Sequence, residues 1–459
     1  MRQSCSNTRF IDSLSHFFKT DKGLTTRMSL PEILEIVPWS GPPAANITVP
    51  GSKSITNRAL ILAALAQGET RLQNALWSDD TQVMVAGLQQ LGYVIDVEAD
   101  PAEAGNRHLR VVGQGGFVPA GGTRETPTEI FVGLAGTAAR FLAAMLCLGT
   151  GVYRLHGGTP MHARPQGGLF AALRQLGYTV ESEAGNDHLP ALIYGDGPHD
   201  GARASVGTRE SSQFASALIL AARVGGWTID ADEDGPSPYV EMTRQQADGF
   251  SVQGGSLVIE PDASGGSYFC AADALPIDGD GDLSRKGNIE VAHWPTSGWQ
   301  IDAEFTRYLP LPAHPLSRQQ HLGDSIMTSM VLAPLGREPV LFTDLGRLRV
   351  QECERVKAMR VELTKCGADV VEEGDTLKIF PSQLHGATID TYDDHRMAMC
   401  FATLGLVVPQ IRLRDPGCVS KTFPLFFHKL SAPAPHGLGV ALRDDEGRPW
   451  EPDEEENPS

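Results

Sequence analysis

Between residues 45 and 430 the hydrophobic and polar positions repeat one frame. Apolar residues at helical spacing lead to a glycine, an aromatic or small residue follows, and alternating β-formers come next. Leu88-Gln89-Gln90-Leu91-Gly92-Tyr93-Val94-Ile95 is one copy, and Leu173-Arg174-Gln175-Leu176-Gly177-Tyr178-Thr179-Val180 is nearly identical to it. The frame returns around Gly249 in Ala247–Val252 and around Gly367 in Leu363–Val370, with a degraded form at Phe305–Leu309. Each glycine suits the left-handed position that ends a helix, so a strand is predicted directly after it. Such joints are common in any α/β protein. Four clear copies, spaced by roughly 70–120 residues, predict an α/β unit built several times.

Length then decides the number of domains. A core rarely grows beyond about 250–300 residues, so a chain of 459 predicts two. No apolar run approaches the roughly 18 residues of a membrane span. Seven cysteines without a CxxC pair argue against a disulfide scaffold or a zinc ribbon and point to the cytoplasm. The net charge of −18 argues against a nucleic-acid partner, which would call for a basic surface. Eight acidic residues against one arginine between Asp444 and Ser459 predict that the end of the chain, residues 433–459, is solvated and disordered. Residues 1–44 read as an N-terminal extension, disordered in part. Its basic residues are mixed with Asp12 and Asp21 and lack an apolar core, unlike a secretory signal.

Small residues, hydroxyls and cations gather where helices are predicted to begin. Pro50-Gly51-Ser52-Lys53-Ser54 with Arg58 precedes the run Ala59–Ala66, and Gly133–Arg140 precedes Phe141–Met145. Arg164, Ser211-Ser212-Gln213 and Asp393-Asp394-His395-Arg396 each open a further helix, and Asp324 stands at the mouth of an apolar one. Gln351–Arg355 is predicted to begin a helix with Glu352 and Arg355 three apart on one face. Free N–H groups and the helix dipole favour anions at such ends, so arginines there are out of place unless something anionic lies between them. The P-loop spacing, a GxSxG elbow for His395 and an HExxH pair are all missing, which sets aside ATP chemistry, a serine hydrolase and a zinc hydrolase.

In order along the chain, PGSKSITNRA, AGTAAR, ARP, SSQF, PYVEMT, EPDASGGSYF, GD before SIMT, QECER, YDDHRMAM and KTFP resemble the enolpyruvyl (carboxyvinyl) transferase family, most closely its enolpyruvylshikimate-phosphate synthase branch. They span Pro50 to Pro424, about four-fifths of the chain. The resemblance implies an α/β fold of two similar domains, each of three βαβαββ units in an inside-out barrel, with the active site in the cleft between them. The first domain would be residues 53–260, and the second 45–52 plus 261–432. It also implies transfer of the enolpyruvyl group of phosphoenolpyruvate to a hydroxyl of a phosphorylated acceptor, with release of phosphate and with neither a metal nor an organic cofactor. Lys53, Asp324 and Glu352 would be catalytic. Lys53, Gly136, Arg164, Gln213, Arg355, Arg396 and Lys421 would hold phosphoenolpyruvate. Ser54, Arg58, Ser211, Ser212, Gln213, Ser237, Asp324, Arg347 and Gln351 would face the acceptor.

The departures from the family fall on the acceptor side. Gln351 replaces a lysine and Arg347 an asparagine; Pro236 takes the place of a serine, with Ser237 one position later. Leu134 and Phe141 replace more polar or compact residues, and Trp294–Trp299 lacks the usual glycine-rich turn. A guanidinium in place of an ammonium, together with apolar bulk, would suit a flat heterocycle. Shikimate 3-phosphate and a nucleoside monophosphate such as UMP therefore both stay open as acceptors. Thr159 stands where the cell-wall branch has its cysteine. A non-catalytic binder of anions would gain nothing from keeping Asp324 and Glu352.

Overall fold

The computed structural model describes residues 30–232, 237–276 and 279–452. Two hydrophobic cores organise it. One is built from side chains between Ile55 and Ile259, the other from Leu34–Val49 together with Tyr268–Leu442. The chain passes between the lobes twice, side by side. Ser52 N–H donates to Glu260 O at 2.8 Å, Asp262 N–H donates to Pro50 O at 2.9 Å, and Gly51 bridges Pro261. A side chain at Gly51 would meet Asn74 O at 2.1 Å, so the crossing is open only to glycine.

Sheets in the first lobe contain four strands (Gly255–Val258, Glu69–Leu76, Asn106–Val112, Ile95–Ala99), four strands (Thr128–Phe131, Thr150–His156, Ala191–Asp196, Thr179–Ser182) and two parallel strands (Arg203–Gly207, Thr228–Asp232). The second lobe repeats the scheme with sheets of five, four and two strands. Gly92, Gly177 and Gly367 have φ of 95°, 97° and 89°, as the repeated frame predicts. The fourth copy departs from it. Gly249 ends its helix without a left-handed turn, and the strand waits until Gly255. The degraded copy is the 3-10 helix Ile301–Tyr308, after which only Leu316–Ser317 forms a strand.

Both ends of the described chain differ from expectation. Ile33–Ile36 is a sheet strand, antiparallel to Ile411–Arg414 on one side and to Leu442–Arg443 on the other. The last of these continues into a hairpin with Pro449–Trp450. Residues 433–452 are thus ordered. Leu438, Val440 and Leu442 are buried, and their apolar contacts anchor a segment whose net charge suggested a solvated tail. The acidic residues 453–459 lie outside the described residues.

Candidate active site

Among the described residues, eight α-helices begin at the cleft between the lobes. Five belong to the first lobe (Lys53–Leu65, Asp79–Gln90, Gly136–Leu146, Ser212–Gly225, Pro238–Gly249) and three to the second (Ala263–Ala274, Arg355–Lys365, His395–Gly405). The convergence of N-termini makes the cleft electropositive before any side chain is counted.

Glu352 and Asp324 are two of the carboxylates that line it. Glu352 lies in a bend before its helix, which starts only at Arg355, so it does not share a helical face with Arg355. It meets Arg164 of the first lobe at 2.5 Å and Lys421 at 3.9 Å. Burial alone would raise its carboxyl; Arg164, Lys53, Arg355 and Lys421 outweigh that and hold it down at about 2. Asp324 contacts Arg318 at 2.6 Å, Arg396 at 3.3 Å and Arg355 at 3.7 Å. Burial opposes ionisation there too, and Arg396, Arg318 and Arg355 overcome it to keep the carboxyl well below the usual range. Both groups are therefore charged at neutral pH.

The cations are braced from behind. Arg355 binds Asp394 through Nε at 2.7 Å and Nη2 at 3.1 Å, the bidentate geometry open to arginine. Its Nη1 donates to Gln351 Oε1. Lys53 pairs with Asp80 at 2.9 Å, and burial raises the Asp80 carboxyl against that partner. Lys421 donates to the carbonyl and carboxylate of Asp393 at 2.6 and 2.9 Å. Arg140 donates to Gln213 Oε1 at 2.5 Å, and Gln213 in turn donates to Thr137 Oγ1 at 3.2 Å. A Cβ at Gly136 would come within 3.0 Å of Arg140 Nη1 and 3.1 Å of Arg164 Nη1; its absence leaves both guanidiniums room.

Most of the residues singled out by sequence line this cleft: Lys53, Ser54, Arg58, Gly136, Arg164, Ser211, Ser212, Gln213, Asp324, Arg347, Gln351, Glu352, Arg355 and Arg396. Three placements differ from expectation. Ser237 is buried beneath its helix with an unpartnered Oγ and is not part of the lining. Arg58 borders the cleft, but its nitrogens donate inward to Thr243, Ser54 O, Ser216 and Tyr239 O, and it sits 5.3 Å over the Phe141 ring. It braces helix starts and spends four of its five N–H donors within the protein. Lys421 reaches the site only through Glu352. Phe141 is a core residue and Leu134 offers its carbonyl to Arg164, so neither supplies a flat apolar wall. Pro236 lies outside the described residues.

Sequence reasoning passed over Asp80, Asp302 and Arg318 and set His395 aside, yet all four line the cleft. Asp80 reads as a helix cap, and Asp302 and Arg318 occupy irregular segments without period. His395 is 2% exposed with both ring nitrogens unpartnered. Burial, reinforced by Arg396 and Lys53, keeps its ring neutral. Among the described residues no group of three or more His, Cys, Asp or Glu is placed to hold a metal ion, and no helix is long and apolar enough to cross a membrane.

Two lobes of repeated α/β units, with ionised carboxylates and cations facing each other across the cleft, define an enolpyruvyl transferase of the two-domain, inside-out barrel type. The model of the EPSP synthase (3-phosphoshikimate 1-carboxyvinyltransferase) family matches residues 40–307 and 311–430, and the chain belongs to that family. A 3-phosphoshikimate 1-carboxyvinyltransferase of Nostoc sp. is 35% identical over 426 residues, 84% of this chain and 96% of that protein. One from Opitutus terrae is 37% identical over 439 residues, 88% and 98% of the two chains. Among solved structures, EPSP synthase from Acinetobacter baumannii superposes with a TM-score of 0.67 at 19% identity, covering 90% of this chain and all of that one. The enolpyruvyl transferase NikO from Streptomyces tendae gives 0.63 at 14% identity, covering 90% of this chain and 98% of that one. At those identities the two structures speak to the fold alone.

Proposed function

We propose that this protein transfers the enolpyruvyl group of phosphoenolpyruvate to a hydroxyl of shikimate 3-phosphate and releases phosphate. The observation that carries this reading is the setting of Glu352, a charged carboxylate enclosed by Arg164 and Lys53 from one lobe and by Arg355 and Lys421 from the other. A polyanion entering the cleft takes over those cations, which must offset its lost hydration. As they are drawn to substrate, Glu352 loses their support and its proton affinity rises. It can then take up a proton from solvent and give it to the methylene carbon of the donor while the acceptor oxygen bonds to the neighbouring carbon. Asp324 takes the hydroxyl proton. Loss of phosphate from that carbon, with return of a proton from the new methyl group to Glu352, restores the double bond, and the proton held by Asp324 leaves with the phosphate. Lys53, at a helix N-terminus, stabilises charge developing at the reacting centre.

Relatives at 35–37% identity are named for 3-phosphoshikimate, which supports that acceptor. The case for a nucleotide weakens with Leu134 and Phe141, neither of which lines the cleft. Among the described residues six cysteines are free, which fits a reducing, cytoplasmic setting. The test is phosphate release from phosphoenolpyruvate with shikimate 3-phosphate, and with UMP as comparator. Release dependent on shikimate 3-phosphate is expected. Release with UMP alone would replace the acceptor, and release with neither would overturn the reading.

A further inference from the structure

Three guanidiniums surround Asp324, and they are not equivalent. Arg355 is held by both oxygens of Asp394 and by Gln351, and lies 3.7 Å from Asp324 Oδ2. Arg396 divides Nη2 between Asp324 Oδ2 at 3.3 Å and Ser264 Oγ at 3.1 Å. Arg318 makes the shortest contact, 2.6 Å, and makes it to the other oxygen, Oδ1. The carboxylate is thereby divided, with Oδ1 belonging to Arg318 and Oδ2 facing the two arginines that line the donor side.

Arg318 is also rigidly placed. It follows the short strand Leu316–Ser317, which pairs with Phe342 and Thr343, and its own N–H donates to Thr343 O at 3.1 Å. Ser317 N–H donates to His321 Nδ1 at 3.0 Å, and Ser317 Oγ donates to Asp344, which closes the turn. The residue is 3% exposed and its Nε–H is buried without an acceptor. Burying a guanidinium this deeply costs stability that an apolar side chain would not. A purely structural role at this position would be better filled by a leucine or methionine.

We infer that Arg318 is a positioning residue for the acceptor-side base, holding Asp324 by Oδ1 so that Oδ2 is left to take the hydroxyl proton when substrate engages Arg355 and Arg396. This rests on the reading of the cleft proposed above. The groups that face Asp324 are Arg318, Arg355 and Arg396, with Tyr239 from the helix Pro238–Gly249 and Asp302 from the 3-10 helix Ile301–Tyr308. Burial favours the protonated form of Asp324, and Arg396, Arg318 and Arg355 oppose it, while the Asp324 charge in turn raises the carboxyl of Asp302. With two of the arginines drawn to substrate, Arg318 decides which form persists.

The test uses the full chain with Arg318→Gln and Arg318→Lys. The carbon-13 signal of the Asp324 carboxyl, assigned by its loss in Asp324→Asn, is followed against pH. The carboxyl should titrate about one unit or more higher in Arg318→Gln than in the wild type, with Arg318→Lys between them. The acid limb of kcat should move the same way, while KM for phosphoenolpyruvate stays within about twofold. An unmoved titration in Arg318→Gln overturns the inference whether or not the protein turns over. A moved titration with an unmoved kcat limb overturns it as well, since Arg318 would then be a packing partner only. A wild type that titrates as described but releases no phosphate from these two substrates overturns the proposed function, and the base role with it, while the Arg318–Asp324 pairing remains measured.

Discussion

Glu352 is held ionised by its surroundings, and that has consequences for rate and for stability. Glu352→Gln keeps the size and much of the hydrogen bonding but removes the proton, and kcat should fall by roughly 10²–10⁴-fold while circular dichroism stays unchanged. Near wild-type turnover would remove Glu352 from the chemistry. The same residue also links folding to pH. Its folded value, about 2, lies below the ordinary carboxyl value, so the stability it contributes is complete above roughly pH 4.3 and drains away as the pH falls towards 2. Asp324 shifts in the same direction. Melting temperature should therefore drop less steeply between pH 4.5 and 3 in Glu352→Gln than in the wild type, and scanning fluorimetry over that range reads the difference. Equal slopes would mean that the cations do not stabilise the charged form.

Among the elements, the C-terminal hairpin contributes most beyond what composition suggests. Leu442–Arg443 covers the strand Ile33–Ile36, pairing Glu35 with Arg443 and Ile36 with Leu442. Leu438 N–H and Val440 N–H donate to Lys429 O and Leu430 O, tying the segment to the last helix. A chain ending at residue 437 loses three buried aliphatic side chains, each contributing about 1.5–3 kcal/mol, and leaves a sheet edge open. A lower urea midpoint is expected, with turnover retained under native conditions because none of these residues lines the cleft. An unchanged midpoint would show that the hairpin is only laid against the sheet. The helix starts make the opposite case. Cations at Lys53, Arg355 and Arg396 are badly placed for their own helices and become sensible only because the carboxylates of Asp80, Asp394 and Asp324 are brought against them.

For the molecule as a whole, the two lobes are tied in front by Arg164–Glu352 and behind by a second pair. Lys429 of the last helix donates to Glu103 Oε2 at 2.9 Å and to Thr48 Oγ1 at 2.7 Å, next to the two crossings. Glu103 is 5% exposed. Glu103→Ala leaves Lys429 partly buried and unpaired, which typically costs about 3–5 kcal/mol. Urea unfolding should show that loss, and a change below about 1 kcal/mol would assign the pair to the surface class instead.

The repeated helix–Gly–strand frame was legible because helix endings and strand starts are local events. They depend on the conformational freedom of glycine and on the 3.6- and 2-residue periods, and Gly92, Gly177 and Gly367 all obey them. Gly249 escaped because its strand waits for a pairing with Thr70–Gln73 that lies far away in sequence. The cations and carboxylates of the cleft could be named one at a time from their motifs. Their partners could not, since Arg164 with Glu352 is a contact across 188 residues and Arg58 with Thr243 one across 185. Whether an arginine offers its donors to a ligand, as Arg396 can, or keeps them within the protein, as Arg58 does, is settled by which acceptors the fold brings within 3 Å. Sequence by itself determined the repeated α/β units, the segments that meet at the cleft and most of their chemistry, because these reside in short stretches of chain. Only the tertiary structure decided the ordering of residues 433–452, the burial of Ser237 and Phe141, and the arrival of Arg318 beside Asp324. Each of those is set by burial and pairing between distant parts of the chain, and no local pattern encodes them.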